Sequence, residues 1–317
     1  MNFYKKHKGK LNIIFNALLI AVLFYFVDFQ ALKETLLAIH LFALCIGLFL
    51  AIAFSVISAQ RWYYLFTVFD STNAAQKSHF ISVTCKKEFF ATFTSGLIGD
   101  IYSILAVPSS SRVNLTRALL LTRYYDVMVV LWFCLFPLGY FGYLPTILFA
   151  LSLITVSAFI IGLKYLRRPL EMLTRYAQIY SQRVAATLGL VEIPNERALL
   201  IAVFYTFVLW SIRAGVVLFT LLALGVKTNV HELFMVTFAP VLFSIIAFIL
   251  PKTVAGDSGV VAVGLLVGIP YPILVSYILI HKFYLVAVVL FGFIVDLFIR
   301  YSFKKDLHPE YSSQGKA

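Results

Sequence analysis

Residues 93–130 read FTSGLIGDIYSILAVPSSSRVNLTRALLLTRYYDVMVV. An apolar segment is broken in its middle by Gly96, Gly99 and Asp100, turns at Pro108 and a run of serines, and re-enters apolar sequence carrying Arg123 and Asp126. A simple membrane anchor has no use for that pattern. A charge at bilayer depth is costly and is found facing a protein interior or a wet cavity, with a partner. Irregular backbone at that depth is tolerated only where protein buries it or where it lines a cavity. The stretch reads as a half-spanning hairpin followed by a functional helix.

The rest of the chain supports a membrane setting. Of 317 residues, 62% are apolar and 13% charged, whereas soluble domains average about 45–50% and about 25%. The net charge of +12 does not mark a nucleic-acid protein, because Lys and Arg crowd the loops between apolar runs, as topology determinants and anionic-lipid contacts do. Cys45, Cys85 and Cys134 are odd in number and widely spaced, so neither a disulfide framework nor a zinc site is indicated. The basic head Lys5, Lys6, Lys8 and Lys10 precedes an apolar run without a small-residue cleavage site, which predicts a retained first helix.

At about 20 apolar residues per span, the sequence predicts spans near 11–28, 41–60, 115–137, 145–163, 198–225 and 232–250, and a last run over 271–299. Between them lie a short polar segment at 30–40, an amphipathic connection at 63–87, the interrupted segment 88–107, a basic stretch at 164–197 that suits a surface-lying amphipathic helix, and a second broken segment, PKTVAGDSGVVAVGLLVGIP, at 251–270. Arg61 and Trp62 read as an interfacial anchor closing the second span. The tail from Arg300 is polar and predicted to be disordered. The expected fold is all-α and polytopic, a single membrane domain with six to eight membrane segments and two broken or re-entrant hairpins, in an arrangement that suits an inverted repeat.

Lys and Arg number 20 in the N-terminal tail, 61–88, 108–117, 164–197 and the C-terminal tail, against two in the remaining connections. This places both termini in the cytoplasm. Six full spans followed by a dip at 251–270 and one last crossing would instead leave the C-terminus outside. Either the second broken segment crosses fully or one span is miscounted.

The intramembrane ionisable residues are Asp100, Arg123, Asp126, Arg213, Asp257 and Lys282. Arg123 and Asp126, spaced i, i+3, share a helix face. They either pair to hold helices in register or line a cavity for a charged head group, where the planar guanidinium fork suits phosphate. Arg213 lies too far from both ends of its span to snorkel easily, whereas Lys282 could reach the head groups. Gly96, Gly99, Gly256 and Gly259 allow close helix packing, or mark half-helix ends that attract anions. No Walker motif, HExxH, GxSxG or paired-acid transferase motif occurs, and the histidines are scattered; no enzyme activity, metal or cofactor is expected.

At these residues the sequence resembles the lysylphosphatidylglycerol synthase transmembrane region family, a group of flippase-like membrane proteins. The resemblance rests on Arg61-Trp62, on Gly96-Leu97-Ile98-Gly99-Asp100, on Thr122-Arg123-Tyr124-Tyr125-Asp126 and on the Pro- and Gly-rich break at 251–259. Two charges common in the family are replaced, by Ser103 and by Val261 and Ala262. The resemblance implies a cytoplasmic-membrane protein, bacterial or archaeal, that moves a phospholipid or lipid-linked sugar carrier, and it makes Arg61 a candidate beside the ionisable set. The soluble aminoacyl-transfer domain of the synthases does not follow in this sequence, so no synthesis of aminoacyl lipid is expected of it. Transport would be downhill or ion-coupled, with Asp100 or Asp126 as a candidate proton site. The alternative is an accessory or scaffold subunit that docks a membrane glycosyltransferase or lipid-modifying enzyme through 164–197.

Overall fold

The computed structural model describes residues 28–70, 77–93, 96–108, 111–140, 195–246 and 252–307, with short helical pieces between 146 and 158. The expected first span at 11–28, most of 145–163, the basic stretch 164–194 and the end of the tail lie outside the described residues. The regular elements are helices: α1 (Phe29–Leu37), α2 (Leu41–Phe69), α3 (Lys77–Phe93), α4 (Gly96–Ala106), α5 (Arg112–Tyr140), α6 (Glu196–Ala223), α7 (Val230–Ile246), α8 (Lys252–Leu266) and α9 (Tyr271–Leu307). The chain is an all-α polytopic membrane protein; among the described residues four helices are long and apolar enough to cross a bilayer, in α2, α5, α6 and α9.

Local chemistry sets the ends of these helices. The Asp28 carboxylate accepts the backbone N–H groups of Gln30 and Ala31 at 2.9 and 3.1 Å, so the expected polar segment begins instead with the capped helix α1. Asn195 caps α6 through the Ala198 N–H. Asn229 and Glu232 answer each other's backbone N–H groups at the start of α7, a reciprocal box that satisfies two orphan donors. Gly225 and Gly268 take φ of +74° and +82°, and the following residues donate back five positions, Val226 to Leu221 and Ile269 to Gly264. That closure of a helix end needs a residue free of Cβ strain.

Lengths separate spans from hairpins. At 1.5 Å per residue, the 29 residues of α2 and of α5 reach about 43 Å, while the described residues of α3, α4, α7 and α8, numbering 17, 11, 17 and 15, reach about 16–25 Å. A hydrocarbon core is about 30 Å thick. The short helices form two packed pairs, α3 with α4 and α7 with α8. The span expected at 232–250 is thus the first arm of the second hairpin. Of the two alternatives that the sequence leaves open, this packing favours a miscounted span.

Three further expectations change. The first hairpin divides into α3, ending at Phe93, and α4, beginning at Gly96, so Gly96 stands at the break while Gly99 and Asp100 lie inside α4. The amphipathic connection at 63–87 is divided between the end of α2 and most of α3, so Arg61 and Trp62 sit inside a continuous helix. Arg61 is 3% exposed, and the Trp62 indole N–H donates to the Leu115 carbonyl; neither is an interfacial anchor. The first eight residues of the expected disordered tail, 300–307, continue α9.

The two halves repeat the order long helix, hairpin, long helix: α2 to α5, then α6 to α9. Helices α2 and α6 run antiparallel, since the His40 N–H meets the Ala223 carbonyl, Leu50 lies against Gly215, Arg61 meets Thr206 and Tyr64 lies near Tyr205. The halves are therefore inverted with respect to each other. Their cross-contacts match in register. Phe238, eight residues after the start of α7 (230 to 238), stacks on Phe133, 21 after the start of α5 (112 to 133), with ring centroids 4.6 Å apart. In the other half Cys85, eight after the start of α3 (77 to 85), meets Gly292, 21 after the start of α9 (271 to 292), where an added Cβ would sit 2.7 Å from the cysteine Cβ.

Gly99 shows which glycine serves packing. An added Cβ would lie 2.9 Å from the Ala91 Cβ and 3.1 Å from the Lys87 carbonyl oxygen, whereas at Gly96 nothing lies within 4 Å. Gly99→Leu is expected to destabilise the protein by about 1–3 kcal/mol through overpacking, read as a lower Tm in detergent, while Gly96→Ala leaves Tm unchanged or raised. Equal behaviour of the two variants would contradict the close crossing of α3 and α4.

Candidate functional site

The exterior of the bundle is apolar: Phe42, Phe49, Leu200, Phe204, Leu297 and Phe298 are all exposed. The charges turn inward. A cavity of about 290 Å³ lies between the halves, lined from α2 by Ser58, Arg61 and Trp62, from α3 by Lys87 and Glu88, and from α5 by Thr122, Arg123 and Asp126. Trp210 and Arg213 line it from α6, Thr237 and Pro240 from α7, Gly256 and Asp257 from α8, and Tyr277, His281 and Lys282 from α9.

Two bidentate pairs organise the first half. Arg61 donates through Nη1 and Nη2 to the two oxygens of Asp126 at 2.8 and 3.0 Å, and Nη1 also reaches the Thr206 hydroxyl at 2.7 Å. The Trp210 indole N–H shares the Asp126 carboxylate at 3.2 Å. Arg123 donates through Nε and Nη2 to Asp100 at 2.9 and 2.5 Å, with the Lys87 ammonium 4.0 Å from the same carboxylate. The local Arg123–Asp126 pair expected from the i, i+3 spacing is present but long, at 3.9 Å. Each guanidinium instead grips a carboxylate on another helix.

The second half repeats the arrangement in reduced form. Lys282 lies 11 residues after the start of α9 (271 to 282), as Arg123 does in α5 (112 to 123). Its ammonium reaches Asp257 of the second hairpin at 2.7 Å, the counterpart of Asp100 in the first. Lys282 therefore does not snorkel to the head groups. The place corresponding to Asp126, 14 residues into the helix (112 to 126, 271 to 285), is Leu285. Nothing plays the part of Asp126 for Arg213. This arginine lines the cavity and has no carboxylate within 4.0 Å among the described residues, though Asp257 lies within electrostatic range.

Of the residues that the sequence singled out, Arg61, Arg123, Asp126, Arg213, Gly256, Asp257 and Lys282 line one cavity, and Asp100 joins it through Arg123. Gly96, Gly99 and Gly259 do not line it. Lys87, Thr206, Trp210 and His281 were missed. Thr206, Trp210 and Arg213 recur at intervals of four and three, which places them on one face of α6; that stripe was visible in the sequence.

The chain matches the lysylphosphatidylglycerol synthase TM region family over residues 10–292. It belongs to that family. The match covers both hairpins and every charge described above, so the cavity is built from the family's own region and not from an appended segment. The family places the chain among membrane proteins of lipid-related processes. No curated protein and no solved structure gives a significant match.

Proposed function

We propose that the protein is a lipid translocator that receives the phosphate-bearing head group of a phospholipid or lipid-linked sugar in the central cavity, while the acyl or prenyl tails stay in the bilayer. The observation that carries this reading is Arg213, a cavity arginine with no carboxylate within 4.0 Å among the described residues, although Arg61, Arg123 and Lys282 are each paired. A cation held without a partner at membrane depth is costly, and an anionic group from outside the chain would relieve it. The guanidinium fork matches a phosphate with two parallel hydrogen bonds. The inverted halves support the reading, because rocking one repeat against the other opens a midplane site to either face. The excess of Lys and Arg in the expected cytoplasmic connections supports a topology with both termini in the cytoplasm, and no bond-making chemistry is assigned to the protein.

The test is transport in reconstituted vesicles, measured as the loss of fluorescently tagged phosphatidylglycerol from the leaflet exposed to a quencher. Arg213→Ala removes a charged hydrogen-bond donor, about 1.5–3 kcal/mol, and is expected to slow transport roughly ten- to hundredfold with little change in Tm, because no partner is orphaned. A variant as fast as wild type would remove Arg213 from the site. If wild type moves neither tagged phospholipids nor tagged lipid-linked sugars, the translocator reading fails and the accessory-subunit reading takes its place.

A further inference from the structure

The charges of the cavity limit which head group fits, provided the translocator reading holds. Five cations line it, Arg61, Lys87, Arg123, Arg213 and Lys282, with the carboxylates of Glu88, Asp126 and Asp257; the fourth carboxylate is that of Asp100, bonded to Arg123. Among the described residues one positive charge is left over, and the geometry assigns it to Arg213, which has no carboxylate within 4.0 Å of it there. None of the four carboxylates is free. Asp126 holds Arg61 and Trp210, Asp100 holds Arg123 with Lys87 at 4.0 Å, Asp257 holds Lys282, and Glu88 lies in the field of Arg123 and is otherwise engaged.

We infer that the cargo is a lipid whose head group carries one negative charge and no fixed positive charge: a single phosphodiester bearing an uncharged polyol or sugar. An ammonium on the head group would find every carboxylate occupied, and beside Arg213 it would meet a like charge. A diphosphate would bring more negative charge than one unpaired arginine can balance. Arg61, Arg123 and Lys282 could be recruited only by breaking charge-assisted pairs of 2.5–3.0 Å, and Lys87 only by leaving the Asp100 carboxylate 4.0 Å away. Breaking the buried Arg61–Asp126 pair leaves an uncompensated charge, which is strongly unfavourable; the partly exposed Arg123 and Lys282 are held less strongly, but each already meets a full negative charge.

Binding is measured by native mass spectrometry of the detergent-purified full chain, titrated with five probes: phosphatidylglycerol, a polyprenyl-monophosphate hexose, phosphatidylethanolamine, lysyl-phosphatidylglycerol and a polyprenyl diphosphate. Phosphatidylglycerol, the monophosphate hexose or both should bind at least tenfold more tightly than the last three, and the tighter of the two names the source of the phosphodiester. Arg213→Glu turns the surplus from positive to negative and should reverse the order, with lysyl-phosphatidylglycerol overtaking phosphatidylglycerol. Arg213→Gln, which adds no repulsion to Asp257, should level the five probes to within about threefold of one another. Equal or tighter binding of lysyl-phosphatidylglycerol or the diphosphate by wild type overturns the inference while the translocator reading stands. An unchanged order in both variants also overturns it. Saturable binding of none of the probes overturns both.

Discussion

Asp126→Ala is expected to lower the Tm of the purified protein by roughly 6–10 °C, the largest stability loss of any single substitution in the cavity. The substitution leaves the Arg61 guanidinium, 3% exposed, with only the Thr206 hydroxyl as a hydrogen-bond partner among the described residues. It also strands the Trp210 indole N–H. Removing one member of a buried ion pair costs about 3–5 kcal/mol, and about 2 °C per kcal/mol is the scale for a chain of this size. The comparison that isolates the cause is Asp126→Leu combined with Arg61→Met, which deletes both charges and should recover most of the loss, since apolar replacements of a buried pair are often neutral. Arg123→Ala is the control. Its side chain is 38% exposed, water reaches the pair with Asp100, and solvent-reached pairs contribute little. A wild-type Tm for Asp126→Ala, or equal losses for the single and double variants, would show that Arg61 is solvated by another route.

The Arg61–Asp126 pair also marks where sequence reasoning ran out. Hydropathy falls at Gln60-Arg61-Trp62, and a fall of that kind ordinarily ends a span. Here the charge is answered by a carboxylate 65 residues away, so the helix continues through Phe69. Partner choice of that kind is a tertiary event. Spacing along one helix reveals only neighbours three or four residues apart, which is why Arg123 and Asp126 looked like a local pair although their bidentate partners are Asp100 and Arg61. The membrane class, the charged stretch around residues 96–126 and the second glycine-rich segment were legible, because composition and charge at depth are one-dimensional signals.

The hairpins were half legible. An apolar run of 232–250 satisfies the length rule for a span, and hydropathy does not register that α7 turns back against α8. The register of the two halves was hidden for a different reason. Aligned positions carry unlike residues, such as Phe238 and Cys85 or Phe133 and Gly292. The stacked rings in one half and the close glycine–cysteine crossing in the other do the same packing work with unrelated side chains. The acid–base pairs, Asp100 with Arg123 and Asp257 with Lys282, did keep a chemical likeness. They were read as a set of isolated charges because their separation in sequence, 23 residues in one half and 25 in the other (100 to 123, 257 to 282), conveys no contact.

Asp257→Ala should bind phosphatidylglycerol more tightly than wild type and transport it more slowly. The substitution releases the Lys282 ammonium from its carboxylate at 2.7 Å and raises the surplus beside Arg213 from one positive charge to two. Two unit charges about 8 Å apart interact by about 2 kcal/mol at an effective dielectric constant near 20, which is roughly a thirtyfold gain in affinity for a head group carrying one negative charge. A translocator gains nothing from that. Where the added attraction is made in the bound state and lost in the crossing state, it deepens the well from which the lipid must leave, so the transport rate should fall by up to the same factor. Asp257→Asn should behave alike, since the amide keeps the volume and loses the charge. The Asp257→Ala, Lys282→Met double variant deletes the pair without changing the surplus, and should return affinity to within about threefold of wild type. If Asp257→Ala instead weakens binding, the Asp257–Lys282 pair shapes the site rather than setting its charge. Arg213 would then owe its selectivity to the geometry of the second hairpin, and the repeat would matter through packing alone.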